Sequence, residues 1–592
     1  PFWLKVQGSA SKLTEMATAT YDVIVVGAGA SGAVVASRLS ESPSVSVLLL
    51  EAGGPPPDAA AIPLACASMQ RTEVDWAFED SSGGGHSALG LVDGRMRLPR
   101  GKMLGGSTSI NYMAYVRGHP GDYDAWEAAG ADGWGYSGVL PHFKKSEGFV
   151  PRPGVKVDME VHGTEGPWSV RHRDPELPSV GAFVKAVEQM GFEVGDYNSD
   201  AGRRTGQKGI VGAHQFTIKD GHRCSTHVAF LEPVMASRPN LTVVTGAQAS
   251  RVLLQGGAAV GVEYVTSSGS TEEVMAAQEV VLSCGAYMSP QVLLRSGIGP
   301  RAELESLGIE CLVDSPHVGK HLKDHLYLPI PFECASGTAL GPLACSLGLV
   351  KEDKTLFEEY LATGKGYPAT SLYEASVFFN TGTRPDTGHT HDAQISWVAS
   401  CYDPGFYKNG HGIGEFEENF DTETMFHLEK GTALLLPQLL QPESEGEVTL
   451  SGTGISQSPC IRHNYLTKKA DVDAFIAICK QCIDIKNHMG KTEQVGEVLI
   501  PKNLASAHGT DLGSDELWEA WIRHYAITLY HPTSTCRIGD VVDARCRVKG
   551  LKGLRVADAS IMPNVISGNT QAPCVMIGEK AAAMIAEDIV SK

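Results

Sequence analysis

The chain's 592 residues are 42% hydrophobic and 20% charged, ordinary globular proportions, and are too many for one core, so two packed domains are expected. With 49 Lys plus Arg against 68 Asp plus Glu the formal charge is −19, which opposes phosphate backbones and excludes nucleic acid as an expected partner. No apolar run approaches the roughly 18–20 residues of a membrane span, and no basic amphipathic stretch suits a membrane surface.

Residues Pro1 to Thr20 carry no clear periodicity; they read as what remains after removal of a targeting peptide, or as residues foreign to the fold. Tyr21-Asp22-Val23-Ile24-Val25-Val26 is a nearly continuous β-branched run, the pattern of a strand buried on both faces. It leads into Gly27-Ala28-Gly29-Ala30-Ser31-Gly32 and a helix-like stretch from Ala33 to Leu39. In such a turn Gly27 permits the sharp reversal, Gly29 admits a pyrophosphate close to the backbone, and Gly32 lets helix and strand touch. The helix N-terminus adds unpaired N–H groups and a partial positive charge for phosphate. A second strand, Val45–Leu50, ends in Glu51, near the spacing of a ribose-hydroxyl partner, and a carboxylate there disfavours a 2′-phosphate. Together these elements predict a dinucleotide site without choosing between FAD and NAD.

Gly101-Lys102-Met103-Leu104-Gly105-Gly106-Ser107-Thr108-Ser109-Ile110-Asn111 is a loop whose backbone can approach an extended cofactor. Val280–Ser283 and the residues to Gly299 repeat the strand–turn–helix pattern. The stretch from Gly382 to Phe420, rich in Gly, Asp, His and Tyr, reads as a loop that gates the site. Leu434–Leu440 fits a buried strand better than a pocket wall, and Ser444–Leu450 a turn entering a strand. Thirteen scattered cysteines suit a reducing intracellular compartment, or an organelle reached with a cleaved targeting peptide. Cys479 and Cys482 share a helical stripe with Phe475, Ile478 and Ile485, so core packing is expected rather than redox or metal chemistry. His317, His321 and His325 lie close together in sequence, yet no metal site is expected there. Near the C-terminus, Tyr530-His531-Pro532-Thr533 precedes Ser567-Gly568-Asn569-Thr570. An imidazole can take an alcohol's proton, and an asparagine amide can donate to the resulting alkoxide.

The Gly101–Asn111 stretch, followed by Tyr115, Gly118 and Asp124, resembles one signature segment of the glucose–methanol–choline (GMC) oxidoreductases, and Val280–Gly299 resembles the other. The resemblance runs from about Tyr21 to the C-terminus. It takes in Val318-Gly319-Lys320-His321-Leu322-Lys323-Asp324-His325, with His321 where the family usually has Asn, and Leu554–Ser560. It also takes in His531-Pro532-Thr533-Ser534-Thr535-Cys536, where Ser534 replaces the common glycine.

This resemblance implies an α/β protein: a Rossmann-like FAD-binding domain assembled from several segments, plus an α+β substrate-binding domain with an antiparallel sheet. Residues 20–325 would form the N-terminal FAD-binding half, 326–525 mainly the substrate domain, and 526–590 a catalytic segment returning to the first domain. Gly27, Gly29, Ala30, Ser31, Gly32 and Glu51 would hold the ADP half. Met103, Gly106, Ser107, Asn111, Tyr112, Met113 and Ala114 would line the flavin. Ala249 would meet adenine, Asp558 and Ala559 the ribityl–pyrophosphate region, and Thr570 would also touch the cofactor. Relatives that tether FAD covalently carry a histidine where this chain has Ile110, so non-covalent FAD is expected.

By the same resemblance His531 is the base and Asn569 its partner, oxidising a primary alcohol, aliphatic or aromatic, to the aldehyde. Hydride would pass to flavin N5 and the electrons to O2 or another acceptor. Light-driven fatty-acid decarboxylases of the family carry a Cys-Arg pair before their P-x-S-x-G-x-V segment and lack the histidine. Here Leu440-Gln441 precede Pro442–Val448 and His531 is present, which disfavours that branch. The family's hydroxynitrile lyases and a non-enzymatic flavin-binding relative are the other readings. No G-x-S-x-G elbow supports serine hydrolysis. The alcohol's identity and the oligomeric state are not legible.

Overall fold

The computed structural model describes residues 20–590 apart from 84, 174–177, 200–207, 335–353, 372, 385–390, 400–405, 415, 421–430 and 491–494. The N-terminal segment discussed above lies outside the described residues, except for Thr20. Strand β1 (Thr20–Val26) ends fully buried and turns sharply at Gly27, whose φ of +97° suits glycine alone. Helix α1 (Ala30–Leu39) follows, then β2 (Val47–Glu51), β3 (Leu241–Thr245), β4 (Ala247–Gln255), β5 (Ala258–Thr266) and β6 (Thr271–Leu282). Helix α2 (Gly285–Arg295) leaves the end of β6, and β7 (Leu554–Val556) returns from far along the chain. The sheet order is β3-β2-β1-β6-β5-β4, with β7 beside the C-terminal end of β6. Ile24 faces Leu48 and Val280, and Val280 faces Leu554, all in parallel register. The β4–β5–β6 meander is antiparallel. Parallel strands need cover on both faces, which is why they read as unbroken apolar runs.

A second sheet runs Val495–Val498, Ile330–Cys334, Gly431–Leu439, Ala393–Val398, Tyr373–Phe379, Gly209–Ala213 and Glu193–Val194. Only the last pair is parallel. Leu326–Tyr327 joins this sheet to Ile527–Thr528, which delivers the chain to His531. Boundaries at 325/326 and 525/526 cut through this sheet, because strands from 193–213 and 527–528 belong to it.

The expected loop from Gly382 to Phe420 is in part a central strand. Ala393–Val398 is buried throughout and paired on both sides. The Gly, Asp, His and Tyr of the wider stretch made it read as loop, but the strand's own polar side chains, Gln394 and Ser396, hydrogen-bond within the sheet. Gln394 donates to Ser376 Oγ at 3.1 Å, and Gln438 donates to Ser396 Oγ at 2.7 Å. A buried polar ladder of this kind is tolerated because its main members find partners. Gly431–Leu439 is the expected buried strand, and Glu447–Thr449 is the strand after the Ser444 turn.

Helix α3 (Lys469–Gly490) packs on this sheet, with Phe475, Ile478, Cys479, Cys482 and Ile485 buried as one stripe. Burial pushes both thiols well above their ordinary range, which suits inert packing. Helix α4 (Gln571–Val590) clamps α1: Gly578 lies so close that a Cβ would sit 2.7 Å from the Ser31 carbonyl. Buried Glu579 accepts from Arg38 Nη2 at 2.8 Å across the same contact. Among the described residues, no helix is long and apolar enough to cross a membrane.

Candidate active site

Between the two sheets lies a cavity of about 1730 Å³, including its mouth, running from the Gly27–Glu51 turn to His531 and Asn569. The turn end is built from backbone. A Cβ on Gly32 would stand 1.9 Å from the Gly27 carbonyl, so helix and turn touch there as close packing requires. Gly29 has open space in the same test, so a ligand can come against its backbone. Glu51 is buried and accepts from Ala28 N at 2.9 Å and Gly53 N at 2.8 Å, bracing the turn. Ala30 and Ser31 line the cavity at the α1 N-terminus, with the Ser31 hydroxyl donated to the Cys574 carbonyl.

The 101–114 loop forms the middle. Gly105 and Gly106 adopt φ of +86° and +51°, and a Cβ on Gly106 would meet Gly29 Cα at 2.7 Å. Ser107 accepts from Gly101 N at 3.2 Å. Asn111 donates to Gln571 Oε1 at 2.8 Å and accepts from Met113 N at 2.9 Å. Gln571 in turn donates to the Ala114 carbonyl. Asp558 accepts from Gly285 N at 2.9 Å and Ser560 N at 2.8 Å, tying the start of α2 to the segment after β7.

At the far end the parts are side chains. His531 is 7% exposed, and its backbone N–H donates to Asp324 Oδ1 at 2.7 Å. Its Nδ1 lies 2.9 Å from His325 Nδ1, and its Nε2 lies 3.2 Å from Asn569 Nδ2. The tautomers follow from the partners. His325 Nε2 sits 2.8 Å from the Leu440 carbonyl, which only accepts, so that nitrogen carries the proton. Burial lowers the His325 pKa to about 4, so its Nδ1 is a lone pair at neutral pH. His531 Nδ1–H therefore donates to His325, and His531 Nε2 keeps its lone pair toward Asn569 and the cavity. Burial first, then His325 and Arg100, hold the His531 pKa well below the ordinary histidine range. Asn569 Oδ1 is buried without a hydrogen-bond partner among the described residues.

Backbone strain marks this segment. Tyr530 and Ser534 have φ of +68° and +74° on either side of His531. Ser534 keeps the left-handed backbone that a glycine would adopt freely.

Of the anticipated site residues, Gly27, Gly29, Ala30, Ser31, Glu51, Gly106, Ser107, Asn111, Tyr112, Met113, Ala114, Ala249, Asp558, Ala559, Thr570, His531 and Asn569 all line this one cavity. Met103 does not. It is fully buried, packed with Ala60, Met69 and Ile110. Gly32 also packs beneath the turn rather than lining the cavity. The sequence reading missed His325 and Asp324 as supports of His531, and Arg100 and Gln571 as lining residues. The first two lie in the Val318–His325 segment, and only folding brings them to a partner 206 and 207 positions away.

The donor-rich turn, the open space at Gly29 and the unpartnered Asn569 oxygen fit an extended dinucleotide that reaches a reacting group. Comparison with known proteins names the group. The GMC oxidoreductase N-terminal profile matches residues 21–327 and the C-terminal profile residues 442–578. The chain is 34% identical to an alcohol dehydrogenase (acceptor) of Pseudomonas putida, over 96% of each sequence. It is equally similar to a glucose dehydrogenase (FAD, quinone) of Drosophila melanogaster, over 95% of this chain and 86% of the relative. Among solved structures, pyridoxine 4-oxidase from Mesorbium loti superposes with a TM-score of 0.78 at 28% identity, covering 96% of this chain and 99% of that one. The chain belongs to the GMC oxidoreductase family and is an FAD-dependent oxidoreductase.

Proposed function

We propose that this oxidoreductase converts a primary alcohol, aliphatic or aromatic, to its aldehyde, with His531 as the base. The observation that carries the reading is the lone pair on His531 Nε2, facing the cavity beside the Asn569 amide. A hydroxyl that takes the place of the Asn569 N–H at Nε2 donates to that nitrogen and accepts from Asn569 Nδ2. As the proton moves to Nε2, charge grows on the oxygen, and the Asn569 N–H stabilises it where little water competes. When bound, FAD supplies the acceptor for the hydride that leaves the carbinol carbon. Ile110, with no nucleophilic atom at the segment where relatives tether the flavin, supports non-covalent binding. O2 or another acceptor then takes the electrons.

The lining also disfavours a cationic substrate, since it includes the Arg100 guanidinium. The described carboxylates on the cavity, Glu51 and Asp558, accept from backbone N–H groups near the glycine turn. A quaternary ammonium group would meet no counter-charge beside His531 from the described lining. An apolar body would meet Tyr112 and Tyr373, whose rings pack 5.2 Å apart, and Tyr530. The unpaired state of the described cysteines supports placing the protein in a reducing compartment.

The test is anaerobic and in the dark. Linear, benzylic and amino alcohols are added to the purified yellow holoprotein while flavin absorption is followed. Bleaching by neutral alcohols is expected, and admitting air then separates an oxidase from a dehydrogenase. If no alcohol bleaches a full complement of FAD, the alcohol reading fails, and cyanohydrin cleavage and light-driven decarboxylation are assayed instead.

A further inference from the structure

The three clustered histidines divide into two groups. His325 is buried against His531, but His317 and His321 face outward beside Asp540. His317 Nδ1 lies 2.9 Å from His321 Nε2, and Asp540 Oδ2 lies 3.9 Å from that same nitrogen. The three ligand atoms fall within 4.8 Å of one another. A divalent transition metal binds imidazole nitrogen at about 2.0–2.1 Å and carboxylate oxygen at about 2.0–2.2 Å. At those bond lengths two ligands of a tetrahedral ion stand about 3.3 Å apart, so the histidine pair, now at hydrogen-bond distance, would open slightly as the part-exposed Asp540 turns in. Arg537 donates to Asp540 Oδ2, the oxygen measured to His321, so rotation of the carboxylate must bring its other oxygen to the ion.

The other nitrogen of His321 strengthens the case. His321 Nδ1 lies 2.8 Å from Glu445 Oε2, so Nδ1–H donates to the carboxylate and Nε2 keeps its lone pair, which accepts from His317 Nδ1–H until an ion displaces that proton. A metal-binding imidazole is oriented in this way when its far N–H is held by a carboxylate. We propose that His317, His321 and Asp540 form a surface site for a divalent transition metal, with zinc as the best fit. Glu445 orients His321, and water completes the coordination. Two imidazoles and one carboxylate with an open position suit zinc, and also nickel or cobalt, better than magnesium or calcium, which take oxygen ligands.

The site's place in the fold gives it a consequence. His317 and His321 sit on the loop that ends in His325, and that loop is pinned to the catalytic segment. Gly319 N donates to the Thr535 carbonyl at 2.8 Å, and Thr533 N donates to the Lys323 carbonyl at 2.9 Å. An ion joining this loop to Asp540 fastens a third point between the same two segments, so it stabilises the arrangement that carries both His325 and His531.

Tag-free holoprotein, stripped with chelator and keeping its FAD, is titrated with zinc by calorimetry. One equivalent should bind, and the melting temperature should rise with zinc concentration. His321→Asn keeps the positive φ of +61° comfortable and should abolish binding, as should His317→Ala. Glu445→Gln should weaken binding about 10–100-fold. His508→Ala, an exposed histidine elsewhere, should change nothing. Retained flavin absorption confirms that each variant is folded. Absence of one-to-one binding in the wild type overturns the site, as does binding that survives both His317→Ala and His321→Asn.

Discussion

The two ends of the cavity are made in opposite ways. At the glycine turn the ligand-facing groups are backbone, fixed by local geometry within the first 51 residues and closed by the neighbouring strands. At His531 they are side chains, and each depends on a partner more than 100 positions away: His325, Asp324 and, through His325, Leu440. The first end needs particular small residues at particular places. The second needs a relay of protons set by which neighbour can only accept. A substitution at the turn should therefore act on cofactor retention, and one in the relay on rate.

Paired glycine substitutions test this most severely. Gly32→Ala would put a Cβ 1.9 Å from the Gly27 carbonyl and should leave protein without bound FAD. Gly29→Ala meets no protein atom, so the fold should survive while FAD binding weakens. Equal FAD content and thermal stability in both variants would break the account of the turn.

At the other end, His531→Ala should keep FAD yet slow its reduction by alcohol by about 10² to 10⁴, the usual contribution of a positioned base. Stopped-flow reduction measures it, and an unchanged rate removes His531 from the chemistry.

His325 separates orientation from chemistry. His325→Phe removes the acceptor for His531 Nδ1–H and should cost about 10–100-fold in reduction, as loss of an orienting partner does elsewhere. His325→Gln restores an acceptor and should recover part of the rate. The pH profile gives a second readout. Because the His531 pKa is depressed, the base stays neutral, and the wild-type reduction rate stays level, as pH falls through the ordinary histidine range. The rate should fall only at lower pH. His325 is one of the influences lowering that pKa, so its removal should move the acid limb to higher pH. A purely structural loss would leave the limb where it was.

The smallest effect is expected at Ser534, whose φ of +74° costs on the order of 1 kcal/mol for a residue with a Cβ. Ser534→Gly should raise stability by up to about 1 kcal/mol in urea unfolding with little change in reduction rate. A stability loss would show that its contact with the Thr533 hydroxyl outweighs the strain.

How much was legible in the sequence divides along the same line. The strand–turn–helix around Gly27 was readable because its determinants are local: β-branched residues, three glycines and a helix start. The stripe in α3 was readable for a similar reason, since Phe475, Ile478, Cys479 and Cys482 repeat at the helical period. Ala393–Val398 was misread because the Gly, Asp, His and Tyr around it gave the whole stretch a loop composition, and only the fold supplies Ser376 and Gln438 as partners for its polar residues. Met103 was misplaced because its packing with Ala60, Met69 and Ile110 depends on segments that only the fold brings together.

The sequence alone determined the family, the nucleotide turn and the identities of His531 and Asn569, because these rest on residue type and short-range spacing. Only the tertiary structure decided which nitrogen of His531 holds its lone pair. That depends on His325, on the Leu440 carbonyl behind it, and on burial that keeps both rings neutral. It also decided that His317 and His321 face Asp540 while His325 faces inward, because three residues on one short loop can point to different neighbours only once those neighbours are in place.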